Sequence, residues 1–280
     1  LTDASRGSIG VFDSGVGGLT VLRALRRALP AEDFVYLGDT ARLPYGTKSA
    51  STVIRYSLQC AAALYRHDIR CLVVACNTAS ASALHALQEQ YPALPIIGVV
   101  QPGAQAAVAA SGSQRIAVIA TEGTIAGGAY QLALRRLSPS AVVTARACSL
   151  FVAMAEEGWT EGPIAEAVAR RYLDPLFQVA EPPDTLVLGC THFPVLGAAI
   201  RAALPSGVTV VDSAATTAAA VVEQLHADDC RAARASRSIA PSARGAVRWL
   251  ATDGAARFAR VGTIFFGEPL VADAVEIVDL

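Results

Sequence analysis

The chain has 280 residues, 53% of them hydrophobic and 17% charged, and its net charge is −1. So core-rich a balance excludes a disordered chain, and a charge so near zero offers nothing to steer nucleic acid or anionic lipid. No apolar run approaches the ~18 residues of a membrane-spanning helix.

The opening Leu1–Ser8 is short and polar, with no apolar stretch behind it, so no secretion signal is expected there. Ile9–Phe12 reads as a strand. Leu19, Leu22, Leu25 and Leu29 then recur at helical spacing up to Pro30. Phe34–Leu37 is the next strand, and Pro44-Tyr45-Gly46-Thr47 a turn. Cys71–Ala75 and Ile96–Val100 are strands on either side of a helix over Asn77–Gln90. Ile116–Ala120 and Val142–Ala147 are strands on either side of a helix over Ala126–Leu137. A helix over Pro163–Val179, a strand over Leu186–Leu188, a helix over Pro194–Leu204, a strand over Val208–Val211 and a helix over Ala214–Ala227 follow. Arg231–Arg244 is basic, lacks a period and reads as a solvated loop with a stop at Pro241. Val275–Val278 closes the chain as a strand.

Strands apolar at nearly every position suit burial on both faces. Their alternation with helices predicts an α/β fold, doubly wound, with mostly parallel sheets. The length fits two domains.

The chain also repeats itself. Ile9–Gly15 resembles Ile116–Gly123: each is a strand running into a small polar turn. Leu72-Val73-Val74-Ala75-Cys76-Asn77-Thr78 likewise resembles Leu186-Val187-Leu188-Gly189-Cys190-Thr191-His192. Each repeat therefore ends a strand on Cys with Thr close behind. Ligands of open α/β sheets bind beyond the carboxyl ends of strands, so two facing repeats would bring Cys76 and Cys190 to one cleft.

The ordinary fate of a cysteine is that of a small buried hydrophobe, which is how Cys60, Cys71, Cys148 and Cys230 read. Cys76 and Cys190 differ because they recur at one point of a repeat, each before a helix whose N–H groups would lower a thiol pKa. There is no CxxC or zinc-type spacing, and a cytosolic chain with reduced thiols is expected. Asp13-Ser14-Gly15-Val16-Gly17-Gly18 makes a poor dinucleotide fingerprint, since Thr20 holds the third glycine position. Asp13 or Ser14 could simply cap a helix, or meet an amino acid's charged groups. Asn77, Thr78, Thr121, Thr124 and Thr191 are each unexceptional caps, but together they offer uncharged donors for carboxylates. His192 stands two residues from Cys190 and suits acid/base work. Glu156-Glu157-Gly158 reads as an exposed helix end. Lys48 is the only lysine, so any lysine-held cofactor would have to use it.

Ile9–Thr20 (IGVFDSGVGGLT), Pro44–Gly46 (PYG), Val73–Ser80 (VVACNTAS) and Leu186–Pro194 (LVLGCTHFP) resemble signature segments of bacterial glutamate racemases, within the aspartate/glutamate racemase superfamily. Gly38-Asp39-Thr40, Gly98–Gly103 and Thr121–Ile125 match less extensively. The resemblance implies a first α/β domain from residues 1–98 and 210–280, a second from 99–209, and the site in the cleft between them. The resemblance implies cofactor-independent interconversion of L- and D-glutamate, supplying D-glutamate for peptidoglycan in the cytoplasm. It implies that Cys76 and Cys190 are the acid/base thiols, Cys76 acting on D-glutamate and Cys190 on L-glutamate. Asp13 would support Cys76, while His192 and Glu156 would support Cys190. It implies substrate contacts at Asp13, Ser14, Tyr45, Gly46, Asn77, Thr78, Thr121, Thr124, Thr191 and His192. Ser149 and Ala153 stand where many relatives carry Pro. Only eight residues precede Ile9, so no activation by a cell-wall precursor is expected. The expected partners are the substrate and a second copy of the chain as a homodimer, with no nucleic acid, membrane, metal or cofactor.

Racemisation removes a proton from one face of Cα and returns one to the other, which two opposed thiols do without moving. An aspartate or hydantoin racemase is the neighbouring alternative. A catalytically idle module that binds acidic amino acids is the other, and the paired cysteines argue against it.

Overall fold

The structure, a computed structural model, describes residues 7–232 and 245–280, with only the helical backbone over 227–232. These residues form two sheets in which every pairing is parallel. The first sheet contains β1 (Ser8–Asp13), β2 (Phe34–Gly38), β3 (Ile69–Val74) and β4 (Ile96–Gly98). The second contains β5 (Arg115–Ala120), β6 (Val142–Ala147), β7 (Thr185–Gly189) and β8 (Thr209–Asp212). The chain then returns to the first sheet with β9 (Val247–Ala251) and β10 (Val275–Ile277).

The order of the first sheet is β10-β9-β2-β1-β3-β4, and that of the second is β6-β5-β7-β8. The core order 2-1-3-4 is thus repeated strand for strand, with β5 in the place of β1 and β7 in that of β3. This is the repeat visible in the sequence. β8 pairs with β7, so residues 210–212, assigned above to the first unit, lie in the second sheet. The division into two domains stays our proposal, with the return drawn after Asp212.

Helices cover both faces, as apolar strands require. In β1, Ile9 and Val11 face one core and Phe12 the other. The first core contains α1 (Leu19–Ala28), α10 (Ser213–Ala232) and α11 (Ala255–Phe266). The second contains α2 (Ala50–Tyr65) and α3 (Asn77–Gln90). Full burial of each such side chain contributes about 1.5–3 kcal/mol. On the second sheet, α4 (Val100–Ala110) and α6 (Ala129–Leu137) pack on one face. α7 (Leu150–Glu156), α8 (Pro163–Phe177) and α9 (Gly197–Ala202) pack on the other. A short α5 (Glu122–Gly127) follows β5.

Several expectations change. The helix expected over Ala126–Leu137 is two helices, α5 and α6, broken at Gly128, where φ is +67°. The helix expected over Pro194–Leu204 opens as a 3-10 turn, Phe193–Leu196, and becomes α-helical only at Gly197. Val100 belongs to α4 rather than to the preceding strand. Arg231 and Ala232 close α10; the rest of the basic segment, like residues 1–6, lies outside the described residues. No helix among the described residues is long and apolar enough to cross a membrane.

Candidate active site

β1 ends on Asp13, and residues 14–18 turn the chain into α1. The turn folds around the Asp13 carboxylate, which accepts the Gly15 N–H at 3.0 Å. It can pass close to the other unit because Gly17 has no side chain. A β-carbon there would stand 2.4 Å from both Thr191 Oγ1 and His192 Nδ1. Gly17, part of a turn that fails as a nucleotide fingerprint, thus serves close approach between the two units.

β3 runs through Ala75 into Cys76, which caps α3: its sulfur accepts the Ala79 N–H at 3.5 Å and donates to Ser14 Oγ at 3.6 Å. Thr121, at the end of β5, caps α5. The hydroxyls of Thr78, Thr121 and Thr124 form a triangle with sides of 3.0 Å, joining α3 to α5. The turn at Tyr45–Thr47 closes on it, with Gly46 against Thr121.

β7 delivers Cys190, Thr191 and His192. His192 Nδ1 lies 4.0 Å from the Cys190 sulfur, and Nε2 lies 3.1 Å from Glu156 at the end of α7. The second Glu156 oxygen accepts from Arg257 of α11 at 2.7 Å. Phe265 packs edge-on against the imidazole. Thr191 donates to Asp13 at 3.4 Å, tying the two repeats together.

Ser14, Tyr45, Gly46, Cys76, Asn77, Thr78, Thr121, Cys190, Thr191 and His192 all line one narrow cavity of about 30 Å³. Three expected site residues stand behind its wall. Asp13 is fully buried behind Thr191, Thr124 is fully buried behind Thr78 and Thr121, and Glu156 backs His192. The hydroxyl that meets Cys76 is that of Ser14; Asp13 acts on this thiol by charge.

The electrostatics correct one expectation. Burial first, then the Asp13 charge, push the Cys76 thiol up to about 12, against the Ala79 amide and Ser14 hydroxyl. The helix N-terminus that was expected to lower this thiol is outweighed. Cys190 has only a 3-10 turn after it, with Pro194 supplying no N–H. Burial raises the Asp13 carboxyl above its ordinary range, opposed by the His192 charge and neighbouring amides. For His192 burial works against the imidazolium. Its bonds to Cys190 and Glu156, with the charges of Cys190 and Asp13, overcome that and push it up to about 10. Burial likewise opposes the Glu156 charge, yet His192 and Arg257 hold its carboxyl below the usual value.

Four participants escaped the sequence reading. Asp39, fully buried, accepts from the Tyr45 hydroxyl, from Arg42 at 2.8 Å and from Thr252 at 3.0 Å. Cys60 completes that group at 3.7 Å from the Tyr45 hydroxyl, so it does more than fill space. Arg257 holds Glu156, and Tyr130 holds Asn77. The segment Gly38-Asp39-Thr40 was the one available signal for the first of these. Tyr130 lies on a helix that the sequence marks by its period alone, and Arg257 on α11, which the sequence does not mark.

A model of the family described as Asp/Glu/Hydantoin racemase matches residues 9–221. The chain is 50% identical over 264 residues to a glutamate racemase of Geobacter metallireducens, an alignment covering 94% of both chains. Its fold matches a glutamate racemase isoform from Bacillus anthracis with a TM-score of 0.88, at 35% identity over 98% of each chain. It matches a glutamate racemase from Francisella tularensis, solved in complex with D-glutamate, with a TM-score of 0.87 at 34% identity over 98% of each. A family match over most of the chain, joined to half-identity along nearly its whole length, leads to one conclusion: the chain belongs to the Asp/Glu/Hydantoin racemase family of isomerases, on its glutamate racemase branch.

Proposed function

We propose that this protein interconverts L- and D-glutamate without a cofactor, using Cys76 and Cys190 as opposed acid and base. The observation that carries this reading is the placement of the two thiols at corresponding points of two repeated units, lining one cavity.

In the D-to-L direction the Cys76 thiolate takes the α-proton. The electron pair left on Cα spreads into the α-carboxylate, and the Cys190 thiol delivers a proton to the opposite face. Cys76 ends as thiol and Cys190 as thiolate, and the reverse reaction exchanges these states. Asn77, Thr78, Thr121 and Thr191 supply donors for the charge that develops on the carboxylate. The His192 imidazolium, held by Glu156 and Arg257, offsets the charge that the Cys190 sulfur carries as a base. Cys76, pushed up to about 12 by burial and the Asp13 charge, is a proton donor at neutral pH. The substrate ammonium is what brings it towards the thiolate. The same reading places the reaction in the cytoplasm, supplying D-glutamate for peptidoglycan.

The test is α-proton exchange in heavy water, started separately from each enantiomer and followed by chiral analysis. We expect both enantiomers to exchange and to converge on a racemate. Exchange with aspartate or a hydantoin but not with glutamate would sink the substrate assignment. No exchange with any of them leaves a binding module.

Gly17→Ala tests the close approach between the units. Its β-carbon forces the buried imidazole and the Thr191 hydroxyl to shift, so kcat should fall about tenfold or more, a displacement effect on positioned groups. Circular dichroism should stay native, and wild-type turnover in this variant would show that the approach has slack.

A further inference from the structure

Tyr130, on α6, is fully buried, and its hydroxyl donates to Asn77 Oδ1 at 2.7 Å. Asn77 follows Cys76 directly, lines the cavity and is 2% exposed. Its Nδ2 is buried with no hydrogen-bond partner. A buried amide nitrogen without an acceptor costs free energy comparable to a lost hydrogen bond, so such a group points to a ligand that completes it. The two ends of a carboxamide point in divergent directions. With Oδ1 committed to Tyr130, Nδ2 is the end left for whatever occupies the cavity.

The ring of Tyr130 is itself located. A β-carbon on Gly189 would come within 3.0 Å of ring atom Cε2, and one on Gly103 within 3.4 Å of the hydroxyl. Gly189 directly precedes Cys190. One aromatic residue therefore touches the residue after one thiol and the residue before the other. Burial, with the neighbouring Cys190 and Asp212 charges, raises the phenol well above its ordinary range, so it stays a donor across the working pH of the site.

We propose that Tyr130 is a positioning residue. It fixes the Asn77 amide with its N–H pair directed into the cavity, as the donor for a substrate carboxylate. In the flipped orientation Oδ1 would face that carboxylate and repel it. This inference rests on the glutamate reading above, because it requires an anionic group in the cavity.

The test is a double-mutant cycle of Tyr130→Phe and Asn77→Ala, with KM and kcat measured for both enantiomers. Loss of one such hydrogen bond predicts KM about tenfold higher in Y130F, with kcat within about twofold. In the N77A background Y130F should change KM by less than about twofold, since nothing is left to orient. Asn77→Asp, which removes the N–H pair but keeps an acceptor for Tyr130, should raise KM by more than Y130F does. An unchanged KM in Y130F overturns the proposal, and so does an equal effect of Y130F in both backgrounds, which marks a packing role. An unchanged KM in N77D overturns it without relying on Y130F folding. Wild-type protein that racemises neither enantiomer overturns the glutamate reading and this inference together. Wild-type racemisation with any of the other overturning results removes this inference alone.

Discussion

Cys76→Ala and Cys190→Ala should each lower racemisation by at least about a thousandfold, the upper part of the range for a positioned acid or base. The reason is stoichiometric. Each turnover needs one group to take a proton and another, on the opposite face, to give one. A variant with a single thiol can only return the proton to the face it came from. Each variant should therefore keep α-proton exchange with one enantiomer, L-glutamate for C76A and D-glutamate for C190A, without inversion. Methyl replaces thiol at positions that are already 5% exposed or less, so both variants should fold. Heavy-water exchange followed by chiral chromatography reads both quantities at once. Near wild-type racemisation in either variant ends the two-thiol mechanism.

Asp13→Asn and His192→Asn should lower kcat by about ten- to a hundredfold, and unequally in the two directions. Asp13 acts on Cys76, and His192 on Cys190, so D13N should slow D-to-L more and H192N should slow L-to-D more. Because enantiomers have equal free energy in water, kcat/KM must fall equally in both directions, and the asymmetry appears in kcat and KM separately. Unchanged kcat in both directions would leave these residues as structural partners of the turn and of Glu156. His192 also carries a pH signature. Its folded-state pKa, about 10, lies above the ordinary 6.5. The stability it contributes is then fully present below about pH 6.5 and is lost as pH rises through about 10. Wild type should lose thermal stability relative to H192N across that window, by several degrees on the scale of such linkages. A constant difference in midpoint from pH 6 to 10 would show that the imidazolium is not stabilised in the fold.

By itself the sequence determined the parallel α/β class, the repeat, and the place of both cysteines at strand ends, for a local reason. Strands buried on both faces write an apolar run, and a strand end that meets a ligand writes small polar residues behind it. Cys71–Ala75 and Leu186–Leu188 carry both marks, and α3 was legible to the residue. The helices α2 and α11 and the strand β9 were not. α2 opens on Ser51, Thr52, Val53 and Ile54, and β9 follows the basic segment. Their placement comes from what they pack against: α2 against the sheet face bearing Phe12, β9 alongside β2. Glu156 shows the same division within the site. Its neighbours Glu157 and Gly158 do mark a helix end, but which of the two acids turns inward depends on His192 and Arg257, residues distant in the chain. The rise of the Cys76 thiol was likewise beyond sequence reading. A helix N-terminus is a local feature that pulls a thiol pKa down. Burial and the charge of a carboxylate 63 positions away push it up, and only the folded chain sets how near that carboxylate stands.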